Sequence, residues 1–143
     1  MLSITCKNAI KAVIYLCSKF DSNQNCGVKE IATFIGASEH SVGKLLQTLV
    51  KRNVIKSLKG PTGGFYISED QKLQPIINIV DAIDGNSVFT ECGLGLSRCS
   101  SSHPCPIHDD YKVVRDGIEK LFRLKKVSDL CEPVNHGLAY LIG

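Results

Sequence analysis

The chain has 143 residues, of which 43% are hydrophobic and 22% charged. That is the size of one ordinary domain with appendages and the balance of a globular protein with a real core, which excludes wholesale disorder and a multidomain enzyme with separate cofactor and substrate lobes. No apolar run reaches the roughly 18–20 residues that span a bilayer, and the start MLSITCKNAIKAV lacks the basic-then-apolar order of a secretion signal, so the expectation is a cytoplasmic protein without a membrane partner. Charge is unevenly divided: residues 1–60 hold nine Lys/Arg against three Asp/Glu, while residues 61–143 hold eight against eleven. A cationic first half suits a polyanionic partner, although a solvated basic face with no partner has the same composition.

Between Thr5 and Phe20, Ala9, Ile10, Val13, Ile14, Cys17 and Phe20 recur at helical spacing and predict a first helix, with Lys7 and Lys11 on its other faces. The polar stretch DSNQNCG ends it. Val28, Ile31, Ala32 and Ile35 give a short second helix closed by Gly36, and Ser38 is a good cap for a third. In that third helix Val42, Leu45, Leu46, Leu49 and Val50 form one inward stripe and leave Ser38, His40, Ser41, Lys44, Gln47, Thr48 and Lys51 outside. Two amphipathic helices joined by a short turn, the second with a polar and basic outer face, have the form of a helix-turn-helix.

The next run, VIKSLKGPTGGFYIS, changes period: β-branched and aromatic residues flank Lys59, Gly60, Pro61, Thr62, Gly63 and Gly64, which predicts a β-hairpin with a basic, glycine-rich tip. The predicted fold is therefore mainly α with a small β-hairpin wing, a winged helix over residues 1–85. Leu73–Ile83 reads as a further helix with Pro75 in its first turn. Residues 86–108 read as a long cysteine-rich loop, residues 109–127 as a long amphipathic dimerisation helix, and residues 128–143 as a weakly patterned tail. Val114, Ile118, Leu121 and Phe122 are expected to meet a second copy of the chain; packing back onto the same chain is the alternative.

The chemistry is concentrated in the loop. Cys92, Cys99, Cys105 and His108 fall within seventeen residues, with gaps of six and five between the cysteines. Thiolates are soft anionic ligands, and glycines and serines let such a loop wrap a metal. Spacing alone leaves open a Cys3His zinc site, an iron-sulfur cluster and a disulfide switch, and His103 competes with His108 for the fourth position. Cys6, Cys17 and Cys26 have no ligand spacing, and Cys17 on an apolar stripe reads as a small buried hydrophobe. Phosphate loops, nucleophile elbows and paired carboxylates are missing, so neither an enzyme nor a small-molecule substrate is expected.

TCKNAIKAVIYL, GKLLQTLVKRNVIKSLKGPTGGFYI, IINIVDAIDG and the loop ending CPIH together resemble the Rrf2 family of bacterial winged-helix transcription regulators, that of IscR, NsrR and CymR. The resemblance runs over residues 2–127. It implies a homodimer that binds double-stranded DNA at an inverted repeat and senses redox, nitric oxide or iron-sulfur status. It further implies an iron-sulfur cluster on Cys92, Cys99 and Cys105, with His108 matching the histidine of IscR-like members. Lys7 stands where NsrR-like members carry an aspartate ligand, which favours [2Fe-2S] over [4Fe-4S]. The six-residue first gap is longer than the IscR-like pattern. A zinc-stabilised or thiol-redox regulator, or a protein-interaction module without a cluster, is the alternative. DNA is expected to be held by three elements: Lys7 and Lys11, the exposed face Ser38, His40, Ser41, Lys44 and Gln47 of the third helix, and the wing from Lys59 to Gly64.

Overall fold

The computed structural model describes residues Met1–Gly143. Helix α1 (Ile4–Ser18) is the axis on which the others are hung. Its start is set by Ser3, whose side chain accepts a hydrogen bond from the Cys6 amide. Cys6, Ala9, Ala12, Val13, Ile14, Leu16 and Cys17 are all buried, too many for one stripe, so α1 is covered from several sides. Helices α2 (Val28–Ile35) and α3 (Glu39–Lys51) pack on it and on each other. The turn between them uses Gly36 at φ 71°, a left-handed conformation that favours glycine, followed by the Ser38 cap. Val42, Leu45, Leu46 and Leu49 turn inward as the periodicity predicts.

Strands β1 (Lys56–Leu58) and β2 (Gly64–Tyr66) form the antiparallel hairpin, with Lys56 opposite Tyr66 and Leu58 opposite Gly64. The other edge of β2 is paired as well. Cys26 and Phe65 exchange both backbone hydrogen bonds, at 2.9 and 2.8 Å, and so fasten the wing's inner strand to the segment before α2.

Of the helix expected over Leu73–Ile83 only α5 (Ile77–Ile83) forms, and a separate short helix not expected from the sequence, α4 (Glu69–Lys72), precedes it. A reciprocal cap between Ser68 and Gln71 starts α4, and Gln71 Nε2 also donates to the Asn53 carbonyl at 3.1 Å. Pro75 lies between the two helices, not in a first turn. There the chain pairs instead with the far end of the molecule: the Ile76 amide donates to the Lys125 carbonyl and the Val127 amide to the Gln74 carbonyl, at 2.9 and 3.0 Å. The stretch expected to be all loop contains one helical turn, α6 (Ser87–Thr90), and His108 is the first residue of α7 (His108–Leu124).

The tail carries a helix that its pattern only weakly announced. In α8 (Val127–Asn135), Val127 and Cys131 are buried in the main core, and Leu130 and Val134 pack beside them. These four follow helical spacing, but Pro133 and the short length conceal it. Helix α8 forms the most extensive packing partner of α1. A second, smaller cluster of Cys6, Ile77, Val80 and Phe89, flanked by Ile118 and Phe122, joins α1, α5 and α6 to α7. No helix is long and apolar enough to cross a membrane.

Candidate metal centre and nucleic-acid interface

The sulfur atoms of Cys92, Cys99 and Cys105 lie within 4.8 Å of one another. Cys92 follows the end of α6, Cys105 precedes α7, and Cys99 sits at the middle of the loop between them. Cys105 is nearly covered, while Cys92 and Cys99 are half-buried. The Cys92 and Cys105 thiols are 3.6 Å apart. The backbone amides of Leu96 and Leu94 point at the Cys92 sulfur, the latter at 3.4 Å, and draw its pKa down to about 7; burial pushes the Cys105 thiol up.

His108 Nδ1 is 3.1 Å from Cys99 Sγ, although the mutually close donors are the three thiols alone. His103 is exposed on a turn where its backbone exchanges hydrogen bonds with Ser100, at 3.2 and 3.1 Å. It borders the depression that contains Cys99 and Cys105. Three soft sulfurs with an imidazole beside them are a donor set that fits a thiolate-ligated metal or cluster. The other four cysteines, Cys6, Cys17, Cys26 and Cys131, are buried away from this group.

The outer face of α3 forms an open, shallow depression lined by Glu39, His40, Gly43, Lys44, Gln47, Thr48 and Lys51, with Val28 of α2 at its edge. His40, Lys44 and Gln47 are exposed as expected. Ser38 and Ser41 are committed to the helix cap: the Ser38 oxygen accepts from the Ser41 amide at 3.2 Å and shares a 2.5 Å hydrogen bond with its hydroxyl. A neighbouring depression joins Thr5 of α1 and Ile83 of α5 to His40, Ser41, Lys44 and Thr48. Sequence reasoning missed Thr5, since a residue at the start of one helix carries no sign of its neighbour on another. Lys7 is exposed and Lys11 half-buried, and neither borders these depressions.

At the wing, Lys59, Gly60, Pro61 and Thr62 are exposed, while Gly63 and Gly64 serve the hairpin itself. A Cβ on Gly63 would fall 2.1 Å from the Leu58 carbonyl oxygen, and one on Gly64, at φ 143°, 2.8 Å from that of Cys26. The Asn25 side-chain amide donates to the Thr62 carbonyl at 3.0 Å and steadies the tip.

Helix α7 has two apolar faces, and they divide the four residues expected at a dimer contact. Val114 is 59% and Leu121 49% exposed. Ile118 and Phe122 instead turn back onto their own chain, where Phe122 meets the Phe89 ring edge-on at 5.9 Å between centroids. The outward face runs Val114, Gly117, Leu121, Leu124, with the alternating three- and four-residue steps of a helix–helix seam.

Comparison with known proteins gives a consistent answer. A family profile named Rrf2 and described as "Iron-dependent Transcriptional regulator" matches residues 2–133. An HTH-type transcriptional regulator of Aquifex aeolicus (strain VF5) is 27% identical over 132 residues, covering 91% of this chain and 90% of that protein. An rrf2-like HTH-type transcriptional regulator of Rhodobacter capsulatus is 32% identical over 113 residues, 77% of this chain and 73% of its own length. Among solved structures, CymR, the global cysteine regulator of B. subtilis, superposes with a TM-score of 0.76 at 19% identity, covering 92% of this chain and 96% of that one. T. potens IscR gives 0.74 at 18% identity, covering 98% and 92%. At such identities the two structures bear on the fold, and both share the winged helix.

Proposed function

The chain belongs to the Rrf2 family, whose members are transcription regulators and not enzymes, and from that premise we propose that it is a homodimeric DNA-binding regulator whose operator affinity is set by an iron-sulfur cluster held at Cys92, Cys99 and Cys105. The observation that carries this reading is the gathering of those three thiols within 4.8 Å at the foot of α7, on a winged helix whose α3 presents an open basic face. His108 is the fourth donor, since its ring already touches Cys99 and its place at the head of α7 is fixed by the helix. A [2Fe-2S] group bound there would supply one-electron redox chemistry, and the imidazole would make it labile to acid because a protonated ring is no ligand.

The chain's own residues do the rest. On DNA, His40, Lys44, Gln47, Thr48 and Lys51 face the major groove, with Lys59–Thr62 of the wing and Lys7 and Lys11 on flanking phosphates. Ser38 and Ser41 shape the helix start, and Gly63 and Gly64 shape the wing. Val114 and Leu121 meet their counterparts on a second copy, which places two α3 helices about a two-fold axis and calls for an inverted-repeat operator. The test is the visible spectrum of anaerobically purified protein, followed by operator affinity of the same preparation with and without its cluster. A reddish-brown protein whose affinity changes on cluster loss supports the reading, and equal affinities overturn it.

One observation favours a second reading, a single zinc ion on the same thiols. Tetrahedral Zn–S bonds of about 2.3 Å put every pair of ligand sulfurs roughly 3.8 Å apart, and all three sulfurs here lie within 4.8 Å of one another. Two thiolates on one iron of a [2Fe-2S] core would be as close, but the third, on the other iron, would lie further off. Colourless protein with one zinc per chain would establish this alternative.

A further inference from the structure

The face of α7 that looks toward the cysteine loop holds that loop at three successive levels. His108 reaches Cys99 at 3.1 Å. One turn on, the Tyr111 ring covers Gly93, where a Cβ would lie 2.8 Å from the ring atoms, so the residue after Cys92 cannot carry a side chain without moving the tyrosine. A further turn along, Arg115 Nη1 donates to the carbonyls of Thr90 and Glu91 at 3.1 and 2.6 Å. Those are the last carbonyls before Cys92, left free by the end of α6. The spacing 108, 111, 115 is that of one helical stripe, which continues through Ile118 and Phe122 onto the smaller core cluster.

Arg115 is also electrically unusual. It is half-buried, has no carboxylate partner, and its Nε is a buried donor with no acceptor. A buried cation is costly unless compensated, and backbone carbonyls compensate only part of the charge. Three thiolates around a divalent metal, or around a [2Fe-2S] core with one imidazole, carry net negative charge. A guanidinium anchored one residue before Cys92 supplies the opposite sign.

Resting on the reading of the thiols as a metal or cluster site, we infer that Tyr111 and Arg115 are its positioning residues, fixing Cys92 to α7 so that occupancy of the site and the attitude of α7 change together. Arg115 grips the backbone on one side of Cys92 and Tyr111 on the other. The Cys92 sulfur therefore moves with the helix that carries His108 and the Val114–Leu121 face. Second-layer groups of this kind typically govern metal affinity by about 10- to 100-fold.

The probe is Co2+, titrated anaerobically into the full-length, metal-free protein and read by its thiolate-to-cobalt charge-transfer band. Arg115→Met should weaken Co2+ binding by about tenfold or more and shift the band, and Arg115→Lys should recover part of both. In the metal-free protein, Arg115→Met should speed amide exchange of residues 87–96 while leaving α2 and α3 unchanged. Gly93→Ala should weaken Co2+ binding similarly, and adding Tyr111→Ala should restore the Gly93→Ala protein's local exchange rate. Wild-type affinity and an unshifted band in both Arg115→Met and Gly93→Ala would overturn the inference. If Arg115→Met does not fold, Arg115→Lys and Gly93→Ala decide it by the same readouts. A wild-type protein that binds no Co2+ would overturn the thiol-site reading itself. The positioning of Cys92 would then be overturned only by unchanged exchange at residues 87–96.

Discussion

Ser3 gives both its amide and its hydroxyl to the carboxylate of Asp84, at 2.9 and 2.5 Å, while its oxygen caps the Cys6 amide at 3.0 Å. The end of α5, from which the chain departs toward the cysteine loop, is thereby tied to the start of α1, where Thr5 borders the α3 depression. This is a direct polar link between the helix that leads to the thiol loop and the side of the molecule that carries the α3 depression. Asp84→Ala should lower stability by about 1 kcal/mol, the scale of a charge-assisted hydrogen bond discounted for exposure, as read from the urea midpoint. Unchanged stability would mean that water replaces the carboxylate at no cost.

The thiols should separate by pH. The Cys92 pKa is drawn down to about 7 by the Leu96 and Leu94 amides, whereas burial, reinforced by the charge of Asp84, pushes Cys6 up to about 12, and burial with Glu30 does the same to Cys26. A thiolate is the nucleophile, so in metal-free folded protein Cys92 alkylation by iodoacetamide should rise through pH 7 and level off above it. Cys6 and Cys26 should remain unmodified at pH 8, and bound metal should protect Cys92. Peptide mass spectrometry after timed labelling gives each rate. A Cys92 rate still climbing steeply at pH 9 would contradict the placement of those amides.

On DNA, charge and base reading should come apart. Lys59→Ala should weaken binding to every duplex and reduce the salt slope by about one unit, since it removes one phosphate contact. Gln47→Ala should cost roughly 1–3 kcal/mol on the preferred operator and little elsewhere. Competition binding across a salt series distinguishes the two, and identical behaviour of the variants would contradict the assignment.

How much could be read in advance differs by element. The helix-turn-helix was legible because Val42, Leu45, Leu46 and Leu49 repeat strictly and Ser38 and Gly36 punctuate the turn. The thiol group was legible because Cys92, Cys99 and Cys105 share one short loop whose glycines and serines let it fold back; gaps of six and five residues permit their closeness, and the structure supplies it. Helix α7 was legible as a helix but not in its orientation. Val114 and Leu121 lie on one apolar stripe and Ile118 and Phe122 on another, and periodicity says only that both exist. Helix α8 was concealed by Pro133, whereas Ser38 was legible as the cap of α3 because a serine stands just before the first periodic residue.

The two stripes of α7 should therefore respond in opposite ways. Glu at both Val114 and Leu121 should convert a dimer into a folded monomer in sedimentation, with the thermal transition of the monomer little changed. Glu at Ile118 should instead place a charge against the Val80–Phe89 cluster and cost about 3 kcal/mol or more of stability. Loss of the fold in the double variant, or a stable Ile118→Glu protein, would reverse the assignment of the faces.

The pairing of α1 with α8 bears on how the protein is made. The two helices stand more than 100 residues apart in sequence, yet each is the other's cover in the main core. During translation α1, α2, α3 and the wing emerge first and leave the apolar surface under Val127 and Cys131 bare until α8 clears the ribosome tunnel. The reader of DNA thus cannot complete its core before the thiol loop and α7 have been synthesised. A nascent chain arrested before Val127 should present a sticky α1 to chaperones, and release of the last segment closes it.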